Sequence, residues 1–331
     1  MDEKLGIGVI GVGTFGSLHA KIYSELGTCE LRAVADIEPE RLRQVSSTYG
    51  AQGYADYRQM LERDDISAVS ICTTGGLHVE PAVAAAEAGK HIFVEKPLAV
   101  TATACDRIID AARRADVTLT VGHVLRFDPR YVTAYQEIKK GTIGEPVYMF
   151  IRRNNSLASA RRLRTHSSVL FFLGIHDIDF VNWCMGAKPE KVYAVAASKV
   201  LGDTPDSVMA LLTFADGTVA SLEASWILPE SLPAPLDARF DAVGTSGALY
   251  VNGGCGLVSV AHERFDQPEI SYAPDLLGES VGILRDELAH FVECVTQCAA
   301  PAVSGEDGKR AVEVACAIQE SLRSGGVVQV P

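Results

Sequence analysis

Short apolar runs alternate with helical patterns along the first 125 residues of the chain. The stretch "KLGIGVIGVGTFGSLHAKIYSEL" begins as an apolar strand, breaks at glycines and continues with apolar positions at helical spacing. The later strand candidates "CELRAVADIE", "AVSICTT", "KHIFVEKP" and "TLTVGHV" are separated by the helical patterns "EPERLRQVSSTYG", "VEPAVAAAEAG" and "TATACDRIIDAARRAD". This alternation predicts an α/β fold with a doubly wound parallel sheet, whose ligand lies at the carboxyl ends of the strands.

The second half has a different pattern, because long strand candidates follow one another without intervening helices. They are "GEPVYMFIRRNN", "EKVYAVAASKVL", "DSVMALLTFADGTVASLEASWIL" and "LDARFDAVGTSGALYV", with a turn signal at "ADG". Such strands predict a C-terminal α+β domain with an open, mainly antiparallel sheet, covered by helices and by a second subunit. We therefore expect two domains, at residues 1–125 and 126–331, and the C-terminal helix could pack back near the first.

Composition excludes several classes of function. The 331 residues are 47% hydrophobic and 22% charged, as in globular proteins, and carry a formal net charge of −12 without a basic run. Nucleic-acid binding is therefore not expected, and no apolar stretch is long enough to span a membrane. We expect a cytoplasmic protein without a metal site, since the eight cysteines form no CxxC pair and no zinc-type spacing.

The glycine motif between the first strand and the first helix predicts a dinucleotide site. Gly11, Gly13 and Gly16 allow a tight turn and let backbone N–H groups approach a pyrophosphate at a helix N-terminus. Asp36 follows 20 residues after Gly16, at the end of the next strand, where a carboxylate accepts hydrogen bonds from ribose hydroxyls. NAD is favoured over NADP, although Arg41 and Arg43 could soften that preference. A helix-capping role for Asp36 is compatible with this one. The expected contacts from the motif are Gly11, Gly13, Thr14, Phe15 and Gly16.

Loops that follow the later strands should line the same cleft, because the carboxyl ends of parallel strands share one edge of the sheet. "TTGGLH" contributes Thr73, Thr74 and His78, and "EKP" contributes Glu95 and Lys96. We include these five residues in the predicted cofactor site.

Five ordered motifs resemble the glucose–fructose oxidoreductase/inositol dehydrogenase (Gfo/Idh/MocA) family over essentially the whole chain. They are "GVGTFG", the segment from His78 through "AAEAGKHIFVEKP", "GHVLRFDP", "GIHDID" and "SGEDGKRAVEVACAIQESLRSG". The resemblance implies a Rossmann domain followed by an open-sheet domain, bound NAD(P), and hydride exchange with a hydroxyl-bearing carbon of a sugar or cyclitol. It also implies a cis peptide bond between Lys96 and Pro97.

The resemblance implies catalytic roles for Lys96 and His176. Lys96 would donate to the reacting oxygen, and His176 would act as the acid or base in an Asp-x-Gly-x-His-x-x-Asp pattern. Phe172 stands where that pattern usually has its first Asp. Asp179, one helical turn beyond His176, could orient the imidazole instead, whereas Asp177 is expected to be solvated or to cap the helix.

Arginines supply the remaining substrate candidates. Arg126 follows a strand in "GHVLRFDP", a form that looks most like family members that oxidise nucleotide-linked amino sugars at C3. Arg153 and Arg164 belong to a cluster that could bind an anionic sugar through bidentate hydrogen bonds. Solvation, or pairing with acids at a subunit contact, explains the cluster equally well. The arginines of the cluster are Arg152, Arg153, Arg161, Arg162 and Arg164.

Together these features predict an NAD-dependent dehydrogenase that oxidises a secondary hydroxyl of a sugar, a sugar derivative or a cyclitol. The predicted substrate contacts are Lys96, Arg126, Arg153, Arg164 and His176. The alternatives are an NAD-dependent glycosidase that works by transient oxidation and elimination, and a non-catalytic NAD or sugar sensor. A homodimer or homotetramer through the C-terminal sheet is expected.

Overall fold

The computed structural model describes residues 4–232, 236–252, 260–261, 265–266 and 270–331. The chain divides into two compact units, each built from two segments. Met1–Val124 and Ser271–Lys309 form the first unit, and Leu125–Ile270 and Arg310–Pro331 form the second. Ser271–Lys309 thus packs with the first unit although it lies late in the sequence. The division into functional domains at residues 1–125 and 126–331 stays a prediction.

The first segment alternates strands and helices, as the apolar pattern predicts. Its strands form one parallel sheet in the order β3-β2-β1-β4-β5-β6, which confirms the doubly wound arrangement. The pattern did not reveal β3 and α3, because elements of three and five residues are too short to show a period. The elements are β1 (Leu5–Ile10), α1 (Thr14–Glu25), β2 (Cys29–Ala35), α2 (Pro39–Tyr49), β3 (Gln52–Tyr54), α3 (Tyr57–Leu61), β4 (Ala68–Ile71), α4 (Val79–Glu87), β5 (His91–Glu95), α5 (Ala102–Ala115) and β6 (Leu119–Gly122).

In the described part of the next segment lie the long strands of the second unit and the helices α6, α7 and α8. Turns rather than helices join β9 to β10 and β11 to β12, and the "ADG" turn lies between β9 and β10 with Gly217 at a φ of +88°. The elements are α6 (Pro129–Lys139), β7 (Pro146–Ser156), α7 (Leu157–Leu163), α8 (Ile175–Met185), β8 (Lys191–Ala197), β9 (Ser207–Thr213), β10 (Val219–Leu228), β11 (Leu236–Gly244), β12 (Ala248–Asn252), β13 (Val260–Ala261) and β14 (Phe265–Asp266).

The last segment returns to the first unit before it ends in the second. Leu284, Leu288 and Phe291 on α9 are buried in the hydrophobic core of the first unit, where Phe291 meets Phe93 edge to face at 5.7 Å. This burial fixes α9 against the parallel sheet of the first unit. The elements are β15 (Asp275–Leu276), β16 (Glu279–Ser280), α9 (Ile283–Gln297), α10 (Gly305–Ser324) and β17 (Val328–Gln329).

The large sheet of the second unit has the strand order β12-β11-β7-β10-β9-β8-β17. Among the described strands of this sheet, only the neighbours β7 and β10 run parallel, so the predicted mainly antiparallel sheet is confirmed. Side chains alternate along its strands, and one face is buried, with Ile151, Leu222 and Phe240 at most 1% exposed. No helix among the described residues is long and apolar enough to cross a membrane.

Candidate active site

The loop between β1 and α1 is shaped by its glycines. Gly11 has a φ of +83°, and a Cβ on Gly16 would lie 1.8 Å from the Gly11 carbonyl oxygen, so the backbone passes too close for any other residue there. Gly13 is different, because a Cβ there would meet only the Arg41 Nη1 atom, at 4.0 Å, among the described residues. Gly13 is also the N-cap of α1 and has no side chain to cap the helix. The loop therefore leaves room and backbone N–H groups for an anionic ligand.

Asp36 lies directly after β2 and is connected to this loop. Its carboxylate accepts a hydrogen bond from the Val12 N–H at 2.8 Å and another from the Glu38 N–H at 2.9 Å. Arg41 forms an ion pair with it at 3.2 Å. Asp36 is 8% exposed, so its position is fixed before any ligand binds. The arrangement fits the predicted ribose acceptor, and Thr14 and Phe15 begin the helix whose N-terminus would face the phosphates.

Lys96 is brought to the same loop. Its ammonium nitrogen lies 5.9 Å from the centre of the Phe15 ring, and the Lys96–Pro97 peptide bond is cis, as the family resemblance predicted. His78 connects the two neighbouring loops, because its Nδ1 atom lies 2.9 Å from the Pro97 carbonyl oxygen and its Nε2 atom 2.9 Å from that of Thr73. Complete burial lowers the pKa of His78. The structure thus collects the predicted residues Phe15, Thr73, His78 and Lys96 in the first unit.

Thr74 and Glu95 complete this group. Thr74 precedes a short 3₁₀ turn, Gly75–Leu77, and a Cβ on Gly75 would lie 2.9 Å from Pro97 Cγ. Glu95 ends β5, is 7% exposed and accepts a hydrogen bond from the Lys96 N–H at 3.1 Å. The "TTGG" loop is therefore packed against the "EKP" loop.

A buried histidine that the sequence analysis did not single out lies behind these loops. His19 on α1 is fully buried, with Nε2 at 3.1 Å from Glu95 Oε1 and Nδ1 at 2.8 Å from Ser70 Oγ. Burial alone would lower its pKa, but Cys72 and Glu95 raise the pKa of His19 to about 10. The available signal was helical spacing, since Gly16, His19 and Tyr23 share the inward face of α1.

In the second unit, the stretch "LFFLGIHDIDF" forms a single turn of π-helix, Leu170–Gly174, followed by α8. The Ile175 N–H donates to the Leu170 carbonyl, the wider spacing that defines this turn. Phe172 lies in the π-turn and His176 in the first turn of α8, and both are half-buried. π-Turns occur frequently at functional sites, which agrees with the predicted role of His176.

The two aspartates of this stretch are buried and paired with arginines. Asp179 accepts from Arg126 Nε at 3.0 Å and from Arg126 Nη2 at 2.6 Å, and the Arg126 guanidinium lies over the Trp183 ring at 5.2 Å. Asp177 is fully buried and accepts from Arg153 Nη2 at 2.8 Å. The expectation that Asp177 is solvated or caps the helix was therefore wrong.

Arg153 is buried and paired within the chain, and its predicted contact with a substrate stays a prediction. It is 5% exposed, and its Nε and Nη2 atoms donate to Asp177 and to the Tyr131 hydroxyl. Asp177 raises the pKa of Arg153 against the effect of burial, while burial raises the pKa of Asp177. The partner of Arg153 is thus an acid of the same chain, whereas the sequence analysis offered only solvation or acids at a subunit contact as alternatives to substrate binding.

Other members of the cluster lie nearer the surface. Arg152 donates to Asp237 at 3.0 Å, and Arg164 donates to the exposed Asp203 at 2.9 Å. Arg126 is likewise paired with Asp179. The substrate contacts of Arg126 and Arg164 stay predictions. The catalytic role of Asp179 also stays a prediction. In the described ranges no cluster of three or more His, Cys, Asp or Glu could hold a metal ion, and Cys255 lies outside those ranges.

The parallel sheet, the glycine loop and the carboxylate after β2 define a dinucleotide-binding protein of the Rossmann type. A family model described as "Oxidoreductase family, NAD-binding Rossmann fold" matches residues 5–123, and the GFO/IDH/MocA C-terminal domain matches residues 131–250. The chain therefore belongs to the Gfo/Idh/MocA family of NAD-dependent oxidoreductases. This confirms the family resemblance, the predicted cofactor and the predicted class of enzyme.

Individual relatives extend over most or all of the chain. A myo-inositol 2-dehydrogenase of Thermotoga maritima is 29% identical over 323 residues, which is 96% of each chain. A UDP-N-acetylglucosamine 3-dehydrogenase of Acidithiobacillus ferrooxidans is 32% identical over 223 residues, 67% of each chain. The fold is shared with a scyllo-inositol dehydrogenase of Lactobacillus casei, solved with NAD(H) and scyllo-inositol, at 24% identity, 99% coverage of each chain and a TM-score of 0.86.

Proposed function

We propose that this protein oxidises a secondary hydroxyl of a cyclitol or sugar with NAD, and that Lys96 and His176 are its catalytic pair. The observation that carries the proposal is the position of the Lys96 ammonium, 5.9 Å from the centre of the Phe15 ring at the start of α1, beside the glycine loop. The relatives named as inositol and UDP-N-acetylglucosamine dehydrogenases support a polyhydroxylated substrate.

The chemistry follows from the two side chains. NAD, when bound, supplies the acceptor for the hydride that leaves the carbinol carbon. The Lys96 ammonium donates a hydrogen bond to the substrate oxygen and stabilises the negative charge that develops there. His176 takes the hydroxyl proton, so the substrate loses one hydride and one proton and becomes a ketone. The neutral imidazole is the form that accepts this proton.

The arginine pairs bear on the class of substrate. Because Arg153 is buried against Asp177 and Arg126 against Asp179, we place neutral cyclitols and sugars first. A nucleotide-linked amino sugar is the second candidate, supported by the relative that oxidises UDP-N-acetylglucosamine and by the exposed Arg161 and Arg162 of α7.

The decisive comparison uses Lys96→Met and His176→Ala beside Lys140→Met, a change at an exposed lysine. We expect NADH formation with the best polyol to fall by roughly 10²–10⁴-fold in the first two variants and to stay at the wild-type level in the third. NADH binding should persist in all three. Glycoside cleavage without net NADH would instead indicate the glycosidase, and tight NADH binding without turnover of any polyol would indicate the sensor.

We also propose that the enzyme is a homo-oligomer joined through the large sheet of the second unit. The face opposite the buried one carries neighbouring exposed apolar residues, since Tyr193 pairs in register with Leu211 and Tyr148 with Val219. An apolar face that spans several strands is best covered by a second copy, which offers the same surface at the same concentration. Leu211→Glu should lower the mass measured by light scattering to that of the monomer, and an unchanged mass would contradict this interface. The exposed set is Tyr148, Tyr193, Val195, Met209, Leu211, Val219 and Tyr250.

A further inference from the structure

A buried charged pair lies directly behind the lysine of the proposed reaction. His19 is fully buried and Glu95 is 7% exposed, and their Nε2 and Oε1 atoms are 3.1 Å apart. Glu95 is the last residue of β5 and the chain neighbour of Lys96. A polar pair with so little exposure is expensive to bury unless its groups satisfy one another.

Both members of the pair are tied to the surrounding backbone and side chains. The second carboxylate oxygen of Glu95 accepts from the Lys96 N–H at 3.1 Å, and His19 Nδ1 meets Ser70 Oγ of β4 at 2.8 Å. The imidazole also packs edge to face against Phe93, with ring centres 5.4 Å apart. The histidine is therefore held from both sides, and the carboxylate holds the peptide group from which Lys96 projects.

Stability alone is a weak explanation for a polar pair at this site. Replacement of a buried ion pair by well-packed apolar residues is often neutral or stabilising, so such a pair is weak support for a purely structural role. The hydrogen bond to the Lys96 N–H points instead to control of the neighbouring loop. Because "EKP" leaves the sheet at this residue, a change in the Glu95 carboxylate acts first on Lys96.

We propose, resting on the function proposed above for Lys96, that His19 and Glu95 are positioning residues for that lysine. His19 fixes the Glu95 carboxylate, and Glu95 in turn fixes the peptide group of Lys96 and favours the ammonium form of its side chain. Neither residue touches the substrate in this account; both act through Lys96.

The charges around Glu95 determine the direction of its effect on Lys96. Burial alone would raise the pKa of Glu95, but His19, Lys96 and His78 together hold it below its usual value. The same attraction favours the ammonium form of Lys96, because a nearby carboxylate stabilises a positive charge. The other titratable groups facing the pair are Cys72, 3.4 Å from His19 Nδ1, and Tyr23, whose ring lies 6.3 Å from the imidazole.

Kinetics of Glu95 variants separate the hydrogen bond to the Lys96 N–H from the negative charge of the carboxylate. Glu95→Ala removes both the hydrogen bond and the charge. We expect its kcat to fall by roughly 10²-fold, the effect of a misplaced catalytic group, while the KM for NAD changes little. Glu95→Gln keeps an oxygen acceptor for the Lys96 N–H and should recover part of that loss. Glu87→Gln, at an exposed glutamate of α4, is the matched control and should behave as wild type. If Glu95→Ala retained wild-type kcat, the positioning role would be overturned.

A second measurement needs no substrate, so it remains informative if the proposed function fails. Lysines are reductively methylated with a ¹³C label, the Lys96 resonance is assigned with Lys96→Arg, and its titration is followed by NMR. In Glu95→Gln we expect the pKa of Lys96 to fall by about 1 unit, whereas in His19→Gln, which keeps the carboxylate, it should not fall. An unchanged Lys96 pKa in Glu95→Gln, or an equal fall in both variants, would overturn the proposal. Absence of polyol oxidation by wild type would reject only the proposed function.

Discussion

Breaking the ion pair between Arg153 and Asp177 should lower the stability of the second unit. The KM of the substrate should not be the quantity that changes. Both side chains are buried, and Arg153 Nε lies 3.0 Å from Asp177 Oδ1 while Nη2 lies 2.8 Å from the same oxygen. Removing either partner leaves a buried charge without its counter-ion, which costs about 3–5 kcal/mol. For a unit of this size, that loss corresponds to a fall in the unfolding temperature of roughly 6–20 °C.

The assay is thermal and urea unfolding of Arg153→Met, Asp177→Asn and the double variant. Each single variant should show the full loss, and the double variant should recover part of it, because no unpaired charge remains. Arg161→Met, at an exposed arginine of the same cluster, is the control and should unfold like wild type. The reasoning would be refuted if Arg153→Met unfolded like the control and instead raised the KM of an anionic substrate, because Arg153 would then serve the substrate.

Three further predictions address the cofactor, the proton and pH. Asp36→Ala removes the expected ribose acceptor, so NAD should bind more weakly in fluorescence titrations. It also removes the acidic partner of Arg41, so NADP should bind relatively better, and an unchanged ratio of affinities would contradict the ribose assignment. His176→Ala should lower kcat by roughly 10²–10⁴-fold with NADH affinity nearly intact, whereas near wild-type turnover would return His176 to a structural role. The pKa of His19 rises from 6.5 to about 10 on folding, so its stabilisation is complete below pH 6.5 and is lost as pH rises through about 10. The difference in unfolding midpoint between wild type and His19→Gln should therefore shrink over that range, and a constant difference would contradict a protonated His19.

The sequence predicts the first unit well, because its signals are local. Alternation of strands and helices gives the parallel sheet, and the position of Asp36 after β2 follows from its distance to the glycine motif. The "ADG" turn similarly reveals the β9–β10 hairpin. The apolar pattern does not tell which part of the protein an amphipathic helix packs against. The sequence of α9 shows an apolar face, but only the fold places Leu288 and Phe291 in the core of the first unit.

The candidate site shows the same limit for charged residues. Composition reveals a cluster of arginines, but Arg153 meets Asp177 across 24 residues of chain and Arg126 meets Asp179 across 53. Pairs at such separations depend on how α8 packs against its neighbours, which no local pattern encodes. His19 escaped notice for the same reason, since its partner Glu95 lies 76 residues away.

The most direct test of the account is NADH formation by the purified protein with NAD and a panel of polyols. The panel contains myo-inositol, scyllo-inositol, neutral sugars and UDP-N-acetylglucosamine, and wild type is compared with Lys96→Met. We predict that wild type forms NADH with at least one member of the panel and that mass spectrometry detects the ketone of that substrate. Lys96→Met should form neither NADH nor the ketone. NADH formation that Lys96→Met leaves unchanged would contradict the central claim that Lys96 stabilises the reacting oxygen.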